Sequence, residues 1–354
     1  MIKIKLLEAD IHRNETTFRY YRVNYNIFRE VGIEFTTDSN DYDYAFVGQA
    51  SIIDKKLPLQ QSIDKGVEFL SNITGDYMII DGQDSTSLIG TIDVFRESNA
   101  LLFLKTVYLK DFEMYKQGWA NGRMYWGPGD YSVPDIDNLK SKMKLTGTNW
   151  GNTLFPDGNF NINFYNKQNP FYNYSFDKKY DLCGMFQYPL KKEVFEHGIC
   201  QTPYYNKIRK PVYDLIHKAK YNAVKLINGE RVSEHQYHQN MYDSKIIFSP
   251  YGFGAYGAPR DIQAFQYGCV LIKPRMDWIN TTPDMYIENE TYIACEHDFS
   301  DLEEKTDYVL SNFSTLQSQL TENARNKLKQ IYNPEHLVLH TYNIFKNLKE
   351  VVHE

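Results

Sequence analysis

At 354 residues the chain exceeds the size at which a single hydrophobic core stops growing, so two domains are expected. Aromatic residues make up 15%, with 29 Tyr and 21 Phe, which supplies core and cleft walls and excludes a disordered chain. A formal charge of −6 excludes the general positive field of a protein that grips nucleic acid through phosphates, and no run of about 18 apolar residues suggests a membrane span.

The opening Met1-Ile2-Lys3-Ile4-Lys5 interrupts with lysine what a signal peptide keeps apolar, so a cytoplasmic protein is expected, in the host cytoplasm if the chain is viral. From there the pattern alternates. Ile2 to Leu7 reads as a strand, Thr16 to Val31 as a helix, Asp43 to Gly48 as a buried strand, Ile63 to Ile73 as a helix, and Tyr77 to Asp81 as a buried strand ending on a carboxylate. Alternation of this kind predicts an α/β domain with a mostly parallel sheet, which binds ligands beyond its strand C-termini.

A loop-rich middle follows, with Trp126-Gly127-Pro128-Gly129 and an Asn/Phe/Tyr-dense stretch from Asn159 to Tyr174. It fits a connector and cleft wall better than a third core. Trp119, Tyr125, Trp126 and Trp150 offer stacking faces for a sugar or base, or simple packing. Lys140, Lys142 and Lys144 form either a local basic groove or a solvated surface segment. The domain boundary is placed at 172/173, dividing the chain into 1–172 and 173–354, with the last helix able to pack back on the first domain.

The second half restarts the pattern. Tyr180 to Phe186 reads as a strand, Pro211 to His217 opens a helix, and strands are expected at Ala223 to Ile227, Lys245 to Ser249 and Val270 to Lys273. Ser300, with Glu303 three residues on, reads as the capping box of a helix. The remainder is mainly helical, and the expected fold is two Rossmann-like α/β domains facing each other across a cleft.

No residue group has the pattern of a metal or redox site. Cys183, Cys200, Cys269 and Cys295 are scattered without metal-ligand spacing and read as free thiols. His235 and His238 lack two further converging ligands. Asp41-Tyr42-Asp43 leads straight into an apolar strand and reads as a strand-entry turn, so no metal and no separate cofactor are expected. A dehydrogenase reading fails for want of GxGxxG after the first strand.

The most informative stretch runs from Lys245 to Pro274 as strand, glycine-bearing loop, helix and strand. Its glycines permit close backbone approach to a ligand, and the helix start presents unpaired N–H groups and a positive dipole end to an anion. Arg260 adds a fork of donors. A glycine loop before a helix is also ordinary turn punctuation.

Ser249-Pro250, Tyr251-Gly252-Phe253-Gly254, Arg260-Asp261-Ile262-Gln263-Ala264-Phe265, Gly268-Cys269 and Lys273-Pro274 together resemble the donor-binding signature of GT-B glycosyltransferases, in particular the CgeB-like, glycosyltransferase family 1 proteins of bacteria and viruses. The likeness continues through Thr282 to Tyr286 and Asp298 to Glu304, covering roughly the last 120 residues by motif and the first half by architecture only. It implies a glycosyltransferase that moves a sugar from a nucleoside-diphosphate sugar, with UDP the expected nucleotide, to a hydroxyl of a glycan or of a modified phage DNA base such as a hydroxymethylated pyrimidine. The acidic charge does not favour the DNA acceptor.

By the same resemblance the donor contacts are Gly252, Phe253, Gly254, Tyr256, Arg260, Gln263 and Lys273, with Arg209 and Lys210 as a second phosphate contact. Gln263 stands where the family has a ribose-binding Glu; it keeps an acceptor oxygen, adds donors and loses the charge. That departure keeps a second function class open, a non-catalytic nucleotide-sugar or glycan-binding protein derived from such an enzyme. For the acceptor proton, the candidates are Asp81 and Asp84, which also read as an Asp-rich turn, and His12, which also reads as a surface histidine.

Overall fold

The structure, a computed structural model, describes residues 1–7, 18, 21–22, 24–37, 40–83, 85–146, 175–225, 232–254, 258–282, 284–332 and 334–352. The first half supplies β1 (Ile2–Leu7), α1 (Tyr25–Glu30), β2 (Ile33–Thr36), β3 (Tyr44–Gly48), α2 (Gln49–Ile52), α3 (Leu59–Ser71), β4 (Asp76–Asp81), α4 (Thr91–Arg96), β5 (Leu102–Lys105), β6 (Val107–Leu109), α5 (Ile136–Lys140) and β7 (Met143–Leu145). Six of its strands form one all-parallel sheet in the order β2-β1-β3-β4-β5-β7.

Both faces of this sheet are covered, as an all-parallel sheet requires. On β3, Ala45 and Val47 point to one side and pack with Ile52, Ile63, Leu70 and Ile92 of α2, α3 and α4. Phe46, one residue out of phase, points to the other side with Ile4, Leu6, Met78 and Ile80.

The second half supplies β8 (Tyr180–Gly184), β9 (Phe195–Glu196), β10 (Ile199–Cys200), α6 (Thr202–Ile216), β11 (Ala223–Lys225), α7 (Glu234–Tyr242), β12 (Ser244–Phe248), α8 (Pro259–Tyr267), β13 (Val270–Pro274), β14 (Ile279–Thr281), β15 (Ile293–Cys295), α9 (Leu302–Ser311), α10 (Phe313–Tyr332) and α11 (Pro334–Val352). Its sheet, β11-β8-β12-β13-β15, is again all parallel. Ile246, Phe248, Val270 and Ile272 face α6 and α9, while Ile247 and Leu271 face α8 and the later part of α10. The architecture is thus α/β with two Rossmann-like units.

Three features tie the halves together. β6 and β14 pair as an antiparallel ribbon, Leu109 opposite Ile279 and Val107 opposite Thr281. The hairpin β9–β10 sends His197 to the first half, where its backbone N–H donates to Lys55 O at 2.8 Å. α11 returns to the first sheet, Phe345 stacking on Phe46 at 5.6 Å, with Val338 and Leu348 in the same core. No helix among the described residues is long and apolar enough to cross a membrane.

Three local expectations need correction, concerning the short strands, the start of α6 and the cap of α9. β2, β5, β7 and β15 are strands of three or four residues, too short for their periodicity to stand out. α6 begins at Thr202 with Pro203 in its first turn, so Pro211 lies inside it; Tyr205, Ile208, Val212, Leu215 and Ile216 form one buried stripe that holds the helix through the lost hydrogen bond. α9 starts after Asp301 without a side-chain cap, because Asp301 accepts from Glu296 N–H and Glu303 pairs with Lys218 and Lys220. The expected boundary at 172/173 lies outside the described residues.

Asp81 closes β4 and lies in register with Lys105 at the end of β5. Their side chains form an ion pair at 2.9 Å with both groups essentially sealed from solvent. Asp81 also accepts from Gln83 N–H at 3.0 Å. Lys105→Met strands a buried carboxylate, and urea denaturation should register a loss of about 3–5 kcal/mol.

Candidate functional site

β12 ends in a central position of the second sheet and releases the loop from Ser249 to Gly254. The chain resumes at Ala258, the N-cap of α8, with Pro259 at its first position, where a missing N–H costs nothing. Gly268 ends the helix at φ 66°, a left-handed conformation suited to glycine. Arg260 therefore stands in the first turn of α8, beside the unpaired N–H groups of a helix start.

Arg209 arrives from the middle of α6 and is buried against the same loop. Its guanidinium lies over the Tyr205 ring at 3.9 Å, and its Nε donates to Tyr251 O at 3.2 Å. A Cβ on Gly252 would sit 2.9 Å from Arg209 Nη2, so glycine lets the loop lie on the guanidinium. Burial, and then the like charge of Arg260, pull the Arg209 guanidinium down to about 9. It remains a cation at neutral pH.

Among the described residues no carboxylate pairs with either arginine, and Arg260 Nε is buried without a hydrogen-bond partner. Ser249 Oγ and Trp126 Nε1 are likewise buried donors without a partner. Buried polar groups are normally satisfied, so these atoms mark a place where the described residues leave hydrogen-bonding capacity open. Two converging cations make the fitting partner an anion.

The first half closes over the loop. Arg123 Nε and Tyr125 OH both donate to Phe253 O, at 2.8 and 2.9 Å. The Phe253 ring stacks on Tyr205 at 5.0 Å and meets Trp126 edge-on at 6.5 Å, and Trp126 stacks on Tyr204 at 5.2 Å. Arg123 is in turn held by Glu196 of the β9–β10 hairpin at 2.9 Å, and Lys55 reaches the same carboxylate at 2.7 Å. Burial alone would raise the Glu196 carboxyl, but Arg123 and Lys55 overcome it and hold the group at about 2.

Gln263, one turn beyond Arg260, accepts from Tyr237 OH at 3.2 Å. This anchors its carbonyl oxygen and directs its amide nitrogen elsewhere. Gly252, Phe253, Gly254, Arg260, Gln263 and Arg209 are thus grouped around one corner.

Other expected residues stand elsewhere. Lys210 is exposed and pairs with Asp214 one helical turn on, because about 100° of helical rotation carries it from the buried face of Arg209 to solvent. Lys273 is buried under the loop and pairs with Asp261 at 3.3 Å, while Asp261 also accepts from Tyr286 OH; its ammonium supports α8 from below. Asp81, sealed against Lys105, is a holding group and not an exposed base. Asp41 and Asp43 are taken up by Lys3 at the start of β1, the far end of the strand from its ligand-binding edge. His12, Asp84, Tyr256 and Trp150 lie outside the described residues.

Sequence reasoning overlooked Tyr205, Arg123, Tyr237 and Glu196. Tyr205 lies four residues before Arg209 and so shares its helix face, a signal that a helix starting at Thr202 would have exposed. The other three come from distant segments and carry no motif.

No family model matches the chain, and comparison with curated proteins returns no significant match. Among solved structures, it is similar to Anabaena HepE in complex with UDP and glucose, with a TM-score of 0.48 and 8% identity over 98% of this chain and 100% of the other. A glycosyltransferase from Rickettsia africae gives a TM-score of 0.42 and 13% identity, covering 98% of each chain.

The Glu196 cluster has a signed pH dependence. Its folded carboxyl titrates near about 2, below an unfolded value of about 4.3. The stabilisation is therefore complete above about pH 5 and is lost as the pH falls towards 2. Glu196→Gln should cost about 3 kcal/mol at pH 7 by leaving Arg123 buried without its counter-charge. Chemical denaturation of the two proteins at stepped pH should show that deficit shrinking below pH 4.5.

Proposed function

We propose that the chain is a nucleotide-sugar-dependent glycosyltransferase of the GT-B type. The observation that carries this reading is the pair of guanidiniums at Arg209, buried, and Arg260, half-buried, neither paired with a carboxylate among the described residues, set against a glycine loop and a helix start between two parallel α/β units. A nucleoside diphosphate matches that corner in charge and in its need for several converging donors.

In this reading the diphosphate lies against Arg209, Arg260 and the first turn of α8, and the amide of Gln263 faces the ribose hydroxyls. The bond from the anomeric carbon to the diphosphate oxygen breaks, and its electron pair leaves on the diphosphate. The two guanidiniums stabilise that charge without calling on a metal. The acceptor hydroxyl forms the new bond to the anomeric carbon and gives its proton to a base from the first half, with Asp84 and His12 as the remaining candidates. UDP is the proposed nucleotide, and Phe253, Tyr204 and Trp126 offer aromatic faces to the donor.

The sealed Asp81 and the uncharged Gln263 favour one second reading, a protein that binds the nucleotide sugar without transferring it. Donor hydrolysis or transfer separates the two.

Nucleotide sugars should raise the melting temperature by mass action. Arg260→Ala should weaken binding by about 30-fold to 100-fold, the worth of a charge-assisted contact. Gly252→Ala should also weaken it, by pushing Arg209 Nη2 aside, while leaving the fold intact. A thermal-shift panel in which no nucleotide or nucleotide sugar stabilises the protein, together with unaltered activity in Arg260→Ala, would overturn the proposal.

A further inference from the structure

A second cationic concavity lies where β7, the β6–β14 ribbon and α11 meet, with a volume of about 520 Å³. Lys110 follows β6, Lys140 ends α5 and Lys144 sits in β7, so its three ammonium groups come from separate elements. Asn280 and Asn343 add amides, and Phe112 gives an aromatic wall over which Lys140 Nζ lies at 5.0 Å. α11 is fixed there by His340, whose Nε2 donates to Leu145 O at 2.7 Å.

The charge balance of this cavity is unlike its surroundings. The chain has 45 acidic residues to 39 Lys and Arg, and nearby surface cations find acids. Lys116 pairs with Glu113 and Asp137, and Arg96 with Asp93 and Asp135. Among the described residues, no carboxylate lines the cavity and none pairs with Lys110, Lys140 or Lys144. The three lysines are exposed around one concavity, and a multiply charged anion can engage several of them at once where a monocarboxylate cannot. The volume exceeds what a bare phosphate fills, and the Phe112 wall suits an organic body attached to it.

We propose that this cavity binds a phosphoryl group carried on an organic body, at a site separate from Arg209 and Arg260. The carrier is either a soluble phosphorylated compound or a lipid whose phosphate headgroup stands at a bilayer surface. Lys140 and Lys144 then belong to a local basic site within an acidic protein.

Equilibrium dialysis of the full chain with pyrophosphate tests the site, alongside flotation with vesicles of phosphatidylcholine with or without phosphatidic acid. The variants are Lys110→Gln/Lys140→Gln/Lys144→Gln and, separately, Arg209→Gln/Arg260→Gln, each checked for an unchanged circular-dichroism melt. The lysine variant should lose about tenfold or more in affinity for one class of pyrophosphate site, a loss that the arginine variant does not share. Lysine-dependent flotation with phosphatidic acid assigns the lipid source, and lysine-dependent pyrophosphate binding without flotation assigns the soluble one. If neither probe responds to the lysine substitutions, the proposal is overturned, whatever the arginine variant does to nucleotide binding.

Discussion

The buried guanidinium of Arg209 and the half-buried one of Arg260 share one corner, and the surrounding structure is organised around tolerating them. Charge repulsion and lost hydration both act against Arg209 beside Arg260, and among the described residues no carboxylate offsets them. The corner is instead lined with ring faces: Tyr205 under Arg209, and Phe253 over Tyr205. An aromatic face attracts a cation without neutralising it, so the positive potential stays available to a ligand. A carboxylate in place of Tyr205 would stabilise the protein alone and cancel the field that an anion needs.

Holding such a corner open requires rigidity from elsewhere, and it comes from the other half of the chain. Phe253 O receives two donors from the first unit, and one of them, Arg123, is fixed by Glu196 on a hairpin of the second. The loop is thereby braced from both sides. Below it, Lys273, Asp261 and Tyr286 form a buried polar floor that orients the start of α8. Residues that resemble ligand contacts in sequence divide, in three dimensions, into those that face the corner and those that hold it.

That division explains what was legible beforehand. Long apolar runs such as Tyr44–Gly48, Asp76–Asp81 and Ser244–Phe248 announce buried parallel strands, and the glycine loop before Pro259 announces its own turn. The three-residue and four-residue strands do not, since they are recruited by neighbours already in place. Asp81 had the position expected of a base, but whether a strand-end carboxylate is exposed depends on the register of the next strand. Here that register delivers Lys105. A helix opening at Pro211 would leave Arg209 ahead of it, yet Arg209 works from mid-helix, because a buried stripe carries α6 straight through the proline. Lys210, its neighbour in sequence, is turned to solvent by the same helical geometry.

The return of α11 to the first sheet also bears on how the protein is made. Phe46, Ile4 and Met78 are synthesised before the second sheet, but Phe345, Val338 and Leu348, which complete their core, are synthesised after it. Until then that face of the first unit has Phe18, Tyr21 and Phe28 over it but lacks the part of its cover that α11 supplies, and exposed apolar surface of this kind recruits chaperones or aggregates. Maturation of the first unit is thereby coupled to the second, because the helix that completes its core follows the whole second sheet in sequence.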